Sequence, residues 1–125
     1  MTGENHSRHR KTIQLALQCL EFAVWIRTLL ERDLQHRVLL VDEPDLRLSG
    51  IVVLDEEGLK RLSPILDPER FVVVVGRTTD ITPIWEAGIR QVIFDGSSPE
   101  SAHLTILAAE LKMRTPPPSS KEIRP

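Results

Sequence analysis

Residues 50–57 read GIVVLDEE. Ile51 to Leu54 form an unbroken apolar run, mostly β-branched, bounded by a glycine and by acids. A run without polar alternation reads as a strand covered on both faces, the pattern of parallel sheets flanked by helices. The same pattern recurs in RVLLVDE (37–43), in FVVVVG (71–76) and, shorter, in QVIF (91–94). Helical signals lie between these runs. GLKRLSPIL begins a short helix, interrupted near Pro64. TPIWEAG (82–88) predicts another, with Pro83 suited to its first turn. Ser98 is placed to cap a last helix, with Pro99 at its first position and Glu100 at its second, running to about Met113. Strands alternating with helices predict a parallel sheet with helices on both faces. Ligand and reactive groups of such sheets gather just past the carboxyl ends of the strands. The positions of interest are therefore Asp42, Glu43, Asp55, Glu56, residues 76–79 and Asp95.

The N-terminal third carries a different pattern. Residues 11–33, KTIQLALQCLEFAVWIRTLLERD, read as one long helix. Its apolar positions fall on two adjacent stripes, Ile13–Leu17–Leu20–Val24 and Leu15–Cys19–Phe22–Ile26–Leu29. Gln14, Gln18, Glu21, Thr28 and Arg32 make a narrow polar stripe, into which Trp25 intrudes. The apolar arc exceeds the ~100° of an ordinary surface helix. Such a helix is either deeply buried or turns its outer face to a partner. The basic start followed by an apolar run has the outline of a signal peptide. The polar stripe and the lack of a small-residue cleavage site argue instead for a helix of the folded domain. The run is also too short and too polar to span a bilayer.

Composition bounds the function classes. The chain has 125 residues, 41% hydrophobic and 27% charged, with a formal net charge of −2, as expected of one soluble globular domain. That balance gives no basic footprint for nucleic acid. Cys19 is the single cysteine, which excludes an internal disulfide and a cysteine zinc cluster and fits a reducing, cytoplasmic setting. Its place in an apolar pattern predicts a buried core residue. His6, His9, His36 and His103 show no metal spacing, and no phosphate-binding glycine motif or nucleophile elbow occurs. The loop GRTTD (76–80) offers a glycine, a cation and two hydroxyls that could hold an anion, but a plain loop is the simpler reading. The organisation expected is a disordered polar segment at 1–10, one domain at 11–114, and a Pro/Ser-rich linker or tail at 115–125.

The ordered strand ends resemble the receiver domain of bacterial response regulators over roughly residues 37–113. IVVLDEEGL resembles the receiver's third strand, whose last residue is the phospho-accepting aspartate, here Asp55. VVVVGRTT resembles the fourth strand and its switch residue. EAGIRQVIFDGSSPE resembles the end of the fourth helix, the fifth strand and the start of the fifth helix. The resemblance implies a flavodoxin-like, three-layer α/β fold with about four mainly parallel strands and one receiver strand or helix segment missing.

Two registers fit the beginning of the chain. In one, RVLLVDE is the family's first strand, and Asp42 and Glu43 join Asp55 as a magnesium site. In the other, favoured by chain order, residues 11–33 are the first helix, RVLLVDE is the second strand, and the first strand and its acids are missing. In both registers the family's lysine falls on Asp95. An aspartate there would repel a phosphoryl group rather than pair with it. The bland reading of Asp55 is a strand-end acid that caps the helix beginning near Gly58.

These features together predict a degenerate pseudo-receiver in bacterial signalling. It would not be an enzyme, would have no required cofactor, and would act through a protein partner or as a homodimer, without contacting nucleic acid or membrane. Trp25, Leu29, Trp85 and Ile89 are the interface candidates, on the first helix and on the 82–113 face that receivers use for dimerisation. The alternatives are a working receiver phosphorylated on Asp55 and a small α/β ligand-binding protein or enzyme.

Overall fold

The computed structural model describes residues 11–33, 35–62 and 65–114. The expected disordered start at 1–10, the tail at 115–125 and the break near Pro64 lie outside the described residues. The strands are β1 (Lys11–Ala16), β2 (His36–Leu40), β3 (Ile51–Asp55), β4 (Phe71–Val75) and β5 (Gln91–Phe94). The helices are α1 (Leu20–Leu30), α2 (Glu56–Leu62), α3 (Thr82–Glu86) and α4 (Pro99–Arg114), with 3-10 turns at Glu31–Asp33 and Pro68–Arg70. All strand pairs are parallel, in the order β2-β1-β3-β4-β5. This is the flavodoxin-like order. The sheet has five strands rather than about four.

The extra strand comes from the segment expected to be helical. Residues 11–16 pair with both β2 and β3 at the centre of the sheet, so the helix begins only at Leu20. Ile13 and Leu15 point to one face of the sheet and Gln14 and Ala16 to the other, and all four are buried. The missing receiver segment is therefore a helix between β2 and β3, not a strand.

The two faces of the sheet carry two apolar layers. Ile13, Leu15, Val53 and Val72 pack under α1 and α4, against Ala23, Ile26, Ala102 and Ile106. Val52, Leu54, Val73 and Val75 pack on the other side against Ile84 and Ile89, with Leu59 and Leu62 of α2 partly buried there. Each fully buried aliphatic side chain stabilises the fold by about 1.5–3 kcal/mol relative to exposure. At the far edge, His36 of β2 and Glu110 of α4 are buried and hydrogen-bonded, with Nε2 and Oε1 3.0 Å apart.

Residues 41–50 connect β2 to β3 without a helix. Parallel strands are normally joined by a dozen or more residues, usually with a helix among them. Here polar side chains hold the short connection against the sheet. Gln14 bonds both backbone groups of Asp45. The buried Arg70 guanidinium donates to the carbonyl oxygens of Gly50 at 2.9 Å, Leu46 at 3.3 Å and Leu48. Gly50 has φ +112°, and a Cβ built on it would lie 2.1 Å from the Thr12 carbonyl oxygen, so only glycine fits where the loop enters β3.

Candidate functional site

The carboxyl ends of β1, β3, β4 and β5 open into one cavity of about 600 Å3. Asp55 ends β3 and is half-buried in its wall. Both of its oxygens are engaged. Oδ1 accepts the Gly58 N–H at 2.9 Å, capping the first turn of α2, and Oδ2 accepts the Gln18 N–H at 3.0 Å. Asp55 thus ties the start of α2 to the loop after β1.

Glu56 turns toward β4. Its Oε2 accepts the Gly76 N–H at 2.9 Å and the Thr79 hydroxyl at 2.8 Å. These bonds, the backbone one foremost, hold the carboxyl below its ordinary value. The GRTTD loop therefore spends two of its donors on an internal carboxylate. Its Arg77 folds back instead, with Nε 3.4 Å from the Asp95 carbonyl oxygen and the guanidinium over Gly96.

Asp95 continues the sheet ladder, its N–H donating to the Val75 carbonyl at 2.7 Å. Its carboxylate is exposed on the cavity wall, on the same cavity as Asp55. The loop after β1 contributes Leu17, Gln18 and Cys19, so no acid directly follows the first strand. Cys19 is exposed at the start of α1, not buried as its apolar neighbours suggested, because the helix begins one residue later and the cysteine stands in the loop.

Asp42 and Glu43 follow β2 and are exposed. They line a separate hollow of about 60 Å3 with Arg61 and Gly58, and Asp55 is not among its walls. Among the described residues, no three His, Cys, Asp or Glu side chains converge as a metal-binding group. The register that joined Asp42 and Glu43 to Asp55 fails because RVLLVDE is the second strand, at the sheet edge.

The interface candidates divide into two pairs. Trp25 is 57% exposed and Trp85 43%. Leu29 and Ile89 are buried, at 8% and 0%, and offer no outer surface. Leu29 is among the buried residues of α1, and Ile89 belongs to the core under α3. Leu20, Phe94, Leu104 and Leu111 are exposed as well and were not singled out from the sequence. Their signal was an apolar side chain on the outer stripe of a helix or at the tip of an edge strand. The face of the Trp85 ring is covered by Arg90, whose guanidinium carbon lies 4.9 Å from the ring centroid. His103 is a boundary residue of α4.

The fold has a solved counterpart. The ChxR receiver domain from Chlamydia trachomatis superposes with a TM-score of 0.63 at 18% identity, covering 79% of this chain and 97% of that one. The chain has a receiver fold. No protein-family model matches the sequence, and no curated protein does either. Within the receiver fold, Asp55 stands at the end of the third strand and Asp95 at the end of the fifth. No helix among the described residues is long and apolar enough to cross a membrane.

Proposed function

We propose that this chain is a pseudo-receiver, a non-catalytic signalling module that acts through protein–protein contact. The observation that carries the reading is the charge of the strand-end cavity. Where the receiver family places a lysine, Asp95 presents a carboxylate, and no Lys, Arg or His among the described residues lines the cavity. A phosphoryl group on Asp55 would meet like charge from Glu56, Glu57 and Asp95 in place of a cation. Asp55 is also committed structurally, since each oxygen already accepts a backbone N–H. The loop directly after β1, Leu17 to Cys19, supplies no carboxylate for magnesium. The exposed Trp25 and Leu20 on α1, and Trp85, Phe94 and Leu104 on the 82–113 face, are the contact surfaces.

One observation favours the phosphorylatable alternative. Arg77 lies over Gly96 beside the cavity, a cation close to the position of the absent lysine. Intact mass after incubation with magnesium and acetyl phosphate separates the two readings. The pseudo-receiver gains nothing while a known receiver is labelled alongside. A gain of one phosphoryl group that disappears in Asp55→Asn would overturn the reading.

A further inference from the structure

The strand-end cavity is walled by apolar side chains and rimmed by acids. Leu17, Phe22, Trp25 and Val75 are among the residues that line it, and so are five acidic residues, Glu21, Asp55, Glu56, Glu57 and Asp95. Asp55 and Glu56 are satisfied by backbone and hydroxyl donors. Glu21, Glu57 and Asp95 are exposed and form no ion pair among the described residues. Arg77 spends its Nε–H on the Asp95 backbone carbonyl, which leaves the carboxylate unpaired. Among the described residues no three of these acids converge on a point, so their charge is spread along the rim. Spread negative charge around an apolar, aromatic floor is instead complementary to a chain that carries guanidinium or ammonium groups beside an apolar side chain.

We propose that this cavity docks an arginine- or lysine-bearing segment of a partner protein. Its cations lie against Glu21, Glu57 and Asp95, and its apolar side chain packs on Phe22 and Trp25. The assignment rests on the pseudo-receiver reading and names the kind of partner that reading needs. It also gives the charge at position 95 a use. A cation that the receiver family carries on its own fifth strand is here brought by the partner. Nucleic acid and anionic membranes are excluded from this face by its charge.

The test is a fluorescence titration of the 125-residue chain carrying Trp85→Phe, in which Trp25 is the sole indole. The probe is an acetylated Arg-Leu-Arg peptide amide at low salt, with the Gln-Leu-Gln peptide as control. The expected result is a saturable change in Trp25 emission with the basic peptide only. Binding should weaken about tenfold in Glu57→Gln/Asp95→Asn and again at about 0.5 M salt, as screened charge contacts require. Both substituted side chains are exposed, so far-UV circular dichroism should match the parent. No saturable change, an equal response to the neutral peptide, or undiminished binding in the double variant would overturn the proposal. So would a peptide of residues 5–11 (NHSRHRK) binding more tightly than the probe, which would assign the cavity to this chain's own segment. The parent reading is tested separately. Labelling of Asp55 by acetyl phosphate removes the pseudo-receiver, whereas an unlabelled protein that ignores the basic peptide removes only the docking.

Discussion

Gln14 and Asp45 exchange two hydrogen bonds: the Gln14 amide donates to the Asp45 carbonyl at 3.0 Å, and the Asp45 N–H donates to Gln14 Oε1 at 2.7 Å. Gln14 is 1% exposed, at the centre of a sheet face that lacks a covering helix at this point. Its side chain mimics a peptide group and lets a loop take the place of a helix. Gln14→Leu would bury two backbone groups of Asp45 without partners. The expected loss is about 1–3 kcal/mol in urea unfolding, the usual cost of a stranded buried polar group. Arg70→Met removes the donor to three carbonyls of the same loop and should cost a similar amount, about 2–3 kcal/mol, because its bonds are charge-assisted. A change within ~0.5 kcal/mol for both would mean that the loop is not held this way.

Gln14 also explains what the sequence hid. In a helical reading it joins Gln18, Glu21 and Arg32 on a polar stripe. In the sheet it alternates with Ile13 and Leu15 on a period of two. The strand is short, and no glycine or proline separates it from α1, so residues 13–24 satisfy a helical stripe as well as a strand. The cap offers no help, since Cys19 makes no side-chain bond to the helix. The other strands were legible because each holds an unbroken apolar run of three or more residues, and α4 because Ser98 caps it, its hydroxyl oxygen 3.1 Å from the Ser101 N–H. At the site, Asp55 and Asp95 could be placed from strand ends alone. The engagement of Glu56 with Gly76 and Thr79 could not, because it depends on how far apart β3 and β4 carry their loops.

Asp55 serves as a cap on two segments at once. Asparagine retains one acceptor and turns a donor toward a backbone N–H, so one of the two bonds must break. Asp55→Asn should therefore destabilise the fold by about 1 kcal/mol, as lost caps do, measured by the urea midpoint at neutral pH. A variant as stable as the parent would free Asp55 from its structural role and strengthen the case for phosphorylation.

The pH response of the fold should carry a signature from Glu56. Its folded carboxyl is held below the ordinary value of 4.5, chiefly by the Gly76 N–H and then by the Thr79 hydroxyl. A carboxyl with a depressed folded value contributes stability that is fully present above its unfolded value. That contribution is lost as pH falls through the folded value. The parent should therefore lose more stability than Glu56→Gln on acidification from about pH 6 to about pH 3. Carbon-13 titration of the Glu56 carboxyl should place its midpoint below that of a free glutamate, and Thr79→Val should move it upward. An unmoved midpoint in Thr79→Val would show that the hydroxyl does not reach the carboxylate in solution.

Trp25 and Leu29 lie on one helix and should respond in opposite ways to the same substitution. Trp25 is 57% exposed, so a glutamate there displaces no core. Trp25→Glu should leave the urea midpoint within the ~0.5 kcal/mol typical of surface changes. It should nonetheless weaken whatever association the chain shows in sedimentation, since a bared indole anchors interfaces. Leu29 is 8% exposed, one of the buried residues of α1. Leu29→Glu would bury an unpaired carboxylate, so it should unfold the domain or cost upward of about 3 kcal/mol. A loss of association in Leu29→Glu then reports unfolding and says nothing about an interface. The informative pair is Trp25→Glu on α1 against Leu104→Glu on α4, both at exposed positions. If only the first dissociates the protein, the contact lies on α1. If only the second does, it lies on the face built from β5 and α4. If neither does, contact through these exposed apolar residues is wrong.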